Sequence, residues 1–325
     1  MNRYTIIIVA LLALNCTGCH CLSGKPYGQP KPLPAMFSET PTLEQAVAAI
    51  YRNSTLVRTM EIDDASVHVT GVSIPIKASI LVERPKRLRV RGGVSTITGQ
   101  EIDFGCNDEL FWLWRKRDEN KMLAVARHDQ FAVSPVKRYI PINPAWMVEA
   151  LGIIEPVAGE RHQGPYPVDN GKLRVETERP MPDGVYRKVT VIDAVTGCVE
   201  RQEVYSPQGE LTAIAVTSKH SYDAVTGILF ARHIEVQCQG ADGVTTIDIA
   251  SPKFNVQINQ SEFIKPTYPG YQDVDICSPQ FLQTLPTAPP NTTVKYQPPA
   301  IMPYNPNSTY QPQPIATATT NTVIR

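Results

Sequence analysis

The side chains able to do chemistry are present in this chain, but they are not grouped. Six histidines are spread along 325 residues (His20, His68, His128, His162, His220 and His233). None has a second ligand at helical metal-site spacing. His233 and Glu235 would share one face of a strand, where a metal pair is conceivable, although a solvent-facing pair is the simpler reading. Asp103, Asp108, Glu109 and Asp118 lie close in sequence to Trp112 and Trp114. A carboxylate beside an aromatic platform suits sugar chemistry, but glycoside cleavage needs two matched acids and no second one is identifiable. The chain has no G-x-S-x-G elbow, no H-E-x-x-H, no phosphate loop and no dinucleotide fingerprint. No catalytic residue, metal or cofactor is expected from it.

The thiols are more informative. Cys16-Thr17-Gly18-Cys19-His20 matches C-x-x-C-H, whose two thiols and histidine can attach and ligate a haem. It directly follows Arg3 and the uncharged run Ile6 to Leu14. That run is too short to span a bilayer, which takes about 20 residues, but it suits the apolar stretch of an export signal. Thr17-Gly18-Cys19 resembles the bacterial lipobox, with Cys16 where leucine is usual. Cleavage before Cys19 would remove Cys16 and with it the haem motif. The resemblance implies that Cys19 is acylated, with palmitate-length chains, and becomes the new N-terminus. A plain export signal with incidental cysteines is the bland alternative. Cys21, Cys106, Cys198, Cys238 and Cys277 remain, and export would permit disulfides among them, Cys198–Cys238 being one guess.

Charge is balanced, 31 basic against 31 acidic side chains, so nothing draws the chain toward nucleic acid. The local basic runs, such as Arg84 to Arg91, read as solvent faces of strands.

The elements that must position these residues are mostly strands. Residues 1–18 read as signal peptide, and 19–40 as a Pro/Gly-rich tether. Thr42 to Arg52 reads as a helix with a Thr42/Gln45 capping box. Alternating or β-branched segments follow about every ten residues: 55–63, 65–72, 76–84, 87–94, 101–106, 110–116 and 122–127. Asn143 to Leu151 reads as a second helix, with Asn143 as cap, Pro144 at its first position and Gly152 as stop. Residues 155–171 read as a loop. Strands resume at 173–178, 186–193, 199–206, 211–218, 229–237 and 245–250, with a weaker one at 254–258. Short turns make neighbours antiparallel. From Ser278 onward only Lys295 and Arg325 are charged, among Pro, Thr, Asn and Gln, so 271–325 reads as a disordered tail.

On a strand, Trp112 and Trp114 share one face, and Phe111 and Leu113 the other. Trp146, Met147 and Leu151 would share a face of the second helix. Core packing explains all of these, since large aromatics dominate ordinary cores.

Two passages point further. Ala78 to Phe104 reads "strand, Arg-Pro corner, x-R-x-R-x strand" and leads into the aromatic strand Phe111-Trp112-Leu113-Trp114. Val191 to Gly209 reads "strand, D-x-x-T-G, strand, turn". With the order lipobox, helix, meander, helix, meander, residues 41–265 resemble the LolA/LolB-like lipoprotein-carrier family. The resemblance implies a mainly β domain over 41–270: a curved antiparallel sheet, or incomplete barrel, closed by short helices. It also implies that the concave face takes a lipid or acyl chain, with Trp112, Trp114, Trp146, Met147 and Leu151 as candidate lining and no covalent chemistry. The expected setting is a cell-envelope membrane facing the periplasm. The outer membrane is favoured because His20, not Asp, follows the anchor. The alternative is a structural or sensor protein with a filled core that binds envelope proteins.

Overall fold

The computed structural model describes residues 32–70, 73–94, 99–139, 144–168, 170–238 and 243–285. Cys19, Cys21, the signal segment and nearly all of the tether therefore lie outside the described residues, as does the tail beyond 285.

The chain is mainly β. Among the described residues, fifteen strands form one open, curved sheet. The first six are β1 (Thr59–Val69), β2 (Ile76–Glu83), β3 (Arg87–Gly93), β4 (Ile102–Cys106), β5 (Leu110–Arg115) and β6 (Met122–Arg127). Then come β7 (Arg161–Val168), β8 (Lys172–Met181), β9 (Gly184–Asp193), β10 (Val199–Tyr205), β11 (Leu211–Tyr222) and β12 (Leu229–Cys238). β13 (Thr245–Ile249), β14 (Lys253–Phe254) and β15 (Gln272–Asp275) complete the set. The order is β15-β6-β5-β4-β3-β2-β1-β13-β12-β11-β10-β9-β8-β7, with β14 beside β1. The two meanders thus meet where β1 pairs with β13. All pairs are antiparallel except β15, which runs parallel to β6.

Short helices lie on the sheet's inner face. α1 (Leu43–Ile50) begins at the expected capping box, closed by both the Thr42 and the Gln45 side chains. Ala46 and Ile50 pack on Leu173, Val175 and Ile192. α2 (Arg52–Leu56) follows at once, so residues 55–56 are helical and not strand. α3 (His128–Val133) and the 3-10 turn Pro135–Arg138 fill a stretch for which the sequence suggested no element. α4 (Pro144–Ala150) is the second expected helix, and its expected cap Asn143 lies outside the described residues.

Three boundaries differ from expectation. Asp63-Asp64 is a bulge within a continuous β1, not a turn, because the ladder with β2 resumes one register away. Residues 161–168, read as loop for their prolines, are edge strand β7. A bulge at Gln163 to Tyr166 takes up Gly164-Pro165, and an edge strand tolerates proline because half of its amides need no ladder partner. The ordered chain also continues past 270, through β15 and the four-residue helix α5 (Pro279–Leu282), capped by the Ser278 hydroxyl.

Candidate functional site

Strand alternation sorts the apolar residues onto two faces. The inner face carries the main core: Met60, Ile62, Ile80, Val82, Leu88, Phe104, Phe111, Ile234 and Ile249 are all buried there. Four separate pieces of chain cover it. α3 supplies Phe131, packed edge-on against Phe111 with centroids 4.9 Å apart. The 3-10 turn supplies Val136, α4 supplies Val148, and the segment 276–285 supplies Ile276, Phe281, Leu282 and Leu285. The last three of these are only half-buried.

Charged contacts pin two of the covers. Glu149 of α4 is fully buried, and its Oε1 accepts from Arg179 Nη1 at 2.5 Å. Its Oε2 accepts from Lys188. Gln202 Nε2 donates to the Glu149 carbonyl at 2.9 Å. Arg179 also reaches Glu160, which accepts from the Tyr51 hydroxyl at 2.6 Å. Burial alone would raise the Glu149 carboxyl. Lys188 and Arg179 more than offset this and hold it below the usual carboxylate range. Burial, with Arg179 nearby, pushes Lys188 down. Arg179 is therefore the fixed charge of the group. The other clasp is Lys137, whose Nζ donates to Asp183 at 2.6 Å, to the Ala132 carbonyl at 3.0 Å and to the Tyr186 hydroxyl at 3.3 Å. It links the segment after α3 to the β8–β9 turn, and so joins strands from opposite parts of the sheet order without pairing them.

The opposite face of β4 to β6 holds Trp112 and Trp114. Trp112 is wholly buried and lies flat on Gly105, its cross-strand neighbour. A Cβ on Gly105 would sit 2.3 Å from the indole. Trp114 stacks on Tyr268 with centroids 3.9 Å apart, and Tyr271 abuts its edge. Between them Asp103 accepts from Arg89 at 2.6 and 3.2 Å, Trp112 Nε1 at 3.3 Å, Tyr268 Oη at 2.5 Å and Gln100 Nε2 at 3.2 Å. The carboxylate that suggested a sugar cleft is thus saturated by its own chain beneath a strap that crosses the outer face.

The five suggested lining residues do not converge. Trp112 and Trp114 belong to the outer aromatic cluster, and Trp146 packs with Ala213 and Ala215. Only Met147 and Leu151 touch the main core. Two cavities stand out among the described residues, and none of the five lines either. One is a polar cleft of about 420 Å³ between Glu101, Arg115, Arg117, Asp118 and Asn120. Four of its charges form pairs, Arg115 with Asp118 at 2.8 Å and Arg117 with Glu101 at 3.3 Å, and the exposed Glu119 also lines it. The other is about 30 Å³, beneath α1 and α2, lined by Asn53, Cys198, Gln202, Thr217 and His220. It has room for a water, and Gln202 Oε1 is buried there without a partner.

The remaining candidates resolve locally. His233 sits between two acids, Nδ1 2.8 Å from Asp248 and Nε2 3.2 Å from Glu235. The Asp248 hydrogen bond raises its pKa, which favours the imidazolium, a form that cannot ligate metal. Asp248 comes from the paired strand β13, a neighbour that the β12 pattern could not name. Among the described residues no three His, Cys, Asp or Glu side chains form a metal cluster. Cys106, Cys198, Cys238 and Cys277 are unbridged. The suggested Cys198–Cys238 bond does not form, because the two thiols lie toward opposite ends of the sheet: Cys198 precedes β10, while Cys238 pairs with Ala213 beside the end of β10. Burial pushes Cys106 and Cys238 up to about 12 and Cys198 to about 11, so none of these three is an active nucleophile at neutral pH. No described helix is long and apolar enough to cross a membrane.

No protein-family model matches the chain, and no curated protein matches it in sequence. Among solved structures it is similar to a DUF1329 family protein from Desulfovibrio piger, at 12% identity and TM-score 0.47, covering 68% of this chain and 97% of that one. It is similar to a LolA superfamily protein from Nitrosomonas europaea, at 12% identity and TM-score 0.43, covering 67% and 96%. It is also similar to a domain described as a candidate outer membrane lipoprotein-sorting protein from Vibrio parahaemolyticus, at 10% identity and TM-score 0.46, covering 68% and 97%. Likeness at this level concerns the path of the chain and not any ligand.

Proposed function

We propose that this chain is a non-catalytic cell-envelope lipoprotein, anchored through acylated Cys19 on the periplasmic side of a membrane, the outer one favoured. In this reading it holds a lipid or acyl chain on the inner face of its curved sheet, in lipid or lipoprotein trafficking. The observation that carries the reading is the way that face is covered. An apolar surface built from eight strands lies under short, separate pieces, and the last of these is half-buried: Phe281 and Leu282 end a four-residue helix, and Leu285 lies just past it.

The magnitudes favour exchange. Full burial of a large apolar side chain contributes about 1.5–3 kcal/mol, so three half-buried ones hold the cover with roughly 2–5 kcal/mol. An acyl chain of about 14 carbons, at about 0.8 kcal/mol per buried CH₂, offers roughly 11 kcal/mol before its own ordering cost. A chain can therefore replace the cover, and must, because the 30 Å³ cavity cannot hold one.

The filled interior favours a second reading: a scaffold or sensor that uses its outer surface and tail to bind envelope proteins. Purification of the full chain from membranes, native mass spectrometry and organic extraction separate the two. Non-covalent phospholipid or fatty acid at about one per chain, with faster uptake in Phe281→Ala/Leu285→Ala, is the result expected of the first. A lipid-free mass and no uptake of an added fluorescent fatty acid would leave the second.

A further inference from the structure

Two hairpin turns share one pentapeptide. Asp193-Ala194-Val195-Thr196-Gly197 joins β9 to β10, and Asp223-Ala224-Val225-Thr226-Gly227 joins β11 to β12. They fold alike. Asp193 Oδ1 accepts from the Val195 amide at 3.1 Å, and the Gly197 amide returns to the Asp193 carbonyl at 3.0 Å. Asp223 Oδ1 accepts from the Val225 amide at 2.9 Å, and the Gly227 amide returns to the Asp223 carbonyl at 2.8 Å. Each aspartate is thus turned inward on its own backbone, and each valine is left at the tip. Val195 is 43% exposed and Val225 95%. The turns lie at the same end of the sheet, two strand spacings apart, or about 10 Å.

A cation and a third apolar residue complete this end. Arg52 lies over the Tyr222 ring at 5.8 Å and reaches Met36 Sδ at 3.8 Å. Met36 is itself 37% exposed. The Met36 and Phe37 amides donate to the Val195 carbonyl at 2.8 and 3.0 Å, which fastens the incoming chain onto the first turn. From Cys19 to Ser38 the sequence contains Lys25 and Lys31 and no acid. Sixteen residues lie between Cys19 and Met36. At no more than about 3.3–3.6 Å per residue, they keep the turns within roughly 60 Å of the anchor.

We propose that this end of the sheet lies against the membrane. Val225 enters the headgroup region with Val195 and Met36 beside it, and Arg52 faces anionic headgroups. The chain's own geometry selects a bilayer as the occupant, since the linker that arrives here is short, cationic and tied to the turn that bears Val195. The inference rests on the acylated Cys19 of the reading above.

Site-specific tryptophan quenching tests it in the full chain. The native indoles are buried, Trp112, Trp114 and Trp146 being 0%, 6% and 8% exposed, and the wild-type chain supplies the background that is subtracted from each added reporter. Val225→Trp adds a reporter at the proposed contact. Val185→Trp adds one at the other end of β9, where Val185 is 51% exposed. In vesicles of brominated phosphatidylcholine with 30% (about one lipid in three) phosphatidylglycerol, the 225 reporter should lose about half of its added emission and the 185 reporter none. Arg52→Glu should weaken the loss at 225. No quenching at either site, or quenching at 185 alone, overturns the proposal. Acyl mass on the wild-type chain, absent in Cys19→Ser, reports the anchor separately. If the anchor is missing, quenching of the added, unanchored Val225→Trp chain still decides the surface.

Discussion

Replacing Glu149 by glutamine removes the one carboxylate that faces both Arg179 and Lys188. Arg179 retains Glu160, but Lys188, itself buried, is left without its ion-pair partner. Breaking a buried pair from one side costs about 3–5 kcal/mol, because the orphaned charge remains out of water. For a domain of this size each kcal/mol moves the melting temperature by about 2–4 °C, so a fall of roughly 10 °C is expected. Urea unfolding of the full chain, followed through its tryptophans, reads the loss. Trp146, three residues earlier on α4, should change emission first. Replacing both partners with apolar side chains, Glu149→Leu with Lys188→Met, should recover more than half of the loss, since neither charge then needs compensation. A single-variant loss below about 1 kcal/mol, or a double variant as unstable as the sum of its parts, would refute the claim that this contact is buried and pins α4. The pH dependence has a fixed sign. Because the folded Glu149 carboxyl lies below its unfolded value of about 4.3, its contribution is complete above that pH and is lost as pH falls through the folded value.

Gly105→Ala should destabilise by about 1–3 kcal/mol, as its methyl must push the Trp112 ring aside; near-ultraviolet circular dichroism should record the displaced indole. His233 should titrate above 6.5 by NMR, and Asp248→Asn should lower the midpoint. The raised value means that its contribution is complete below pH 6.5 and fades as pH rises through the folded pKa, by a few tenths of a kcal/mol for so exposed a pair. Cys106 and Cys198 should react with a thiol reagent only after unfolding, because both are buried as well as raised in pKa; labelling at native protein rates would contradict this.

The strands that alternate cleanly and end in Asx or glycine turns were legible in the sequence, as was α1, whose capping box is a local signal. What escaped depended on partners far along the chain. Asp103 and Trp112 look like a platform and an acid until Tyr268, 165 residues later, closes over the carboxylate. Phe111 and Trp112 differ by one position, and nothing local says that the first meets α3 while the second meets the 255–271 strap. α3 has too few turns to show a period, and β7 was hidden by prolines that only an edge position allows.

That edge position has a counterpart. A sheet this wide, left open, ends in two rows of unpaired amides and carbonyls, and such rows recruit other chains. One border is blunted by Pro165 and Pro167, which offer no amide, together with the Gln163–Tyr166 bulge. The other is sealed by β15, whose four residues shield Met122 to Val125 of β6. A chain ending at residue 270 would keep nearly all of the core but bare β6, and it should self-associate through that border while the longer chain stays dispersed. The few residues after 270 are thus expected to keep the β6 border from pairing with other chains.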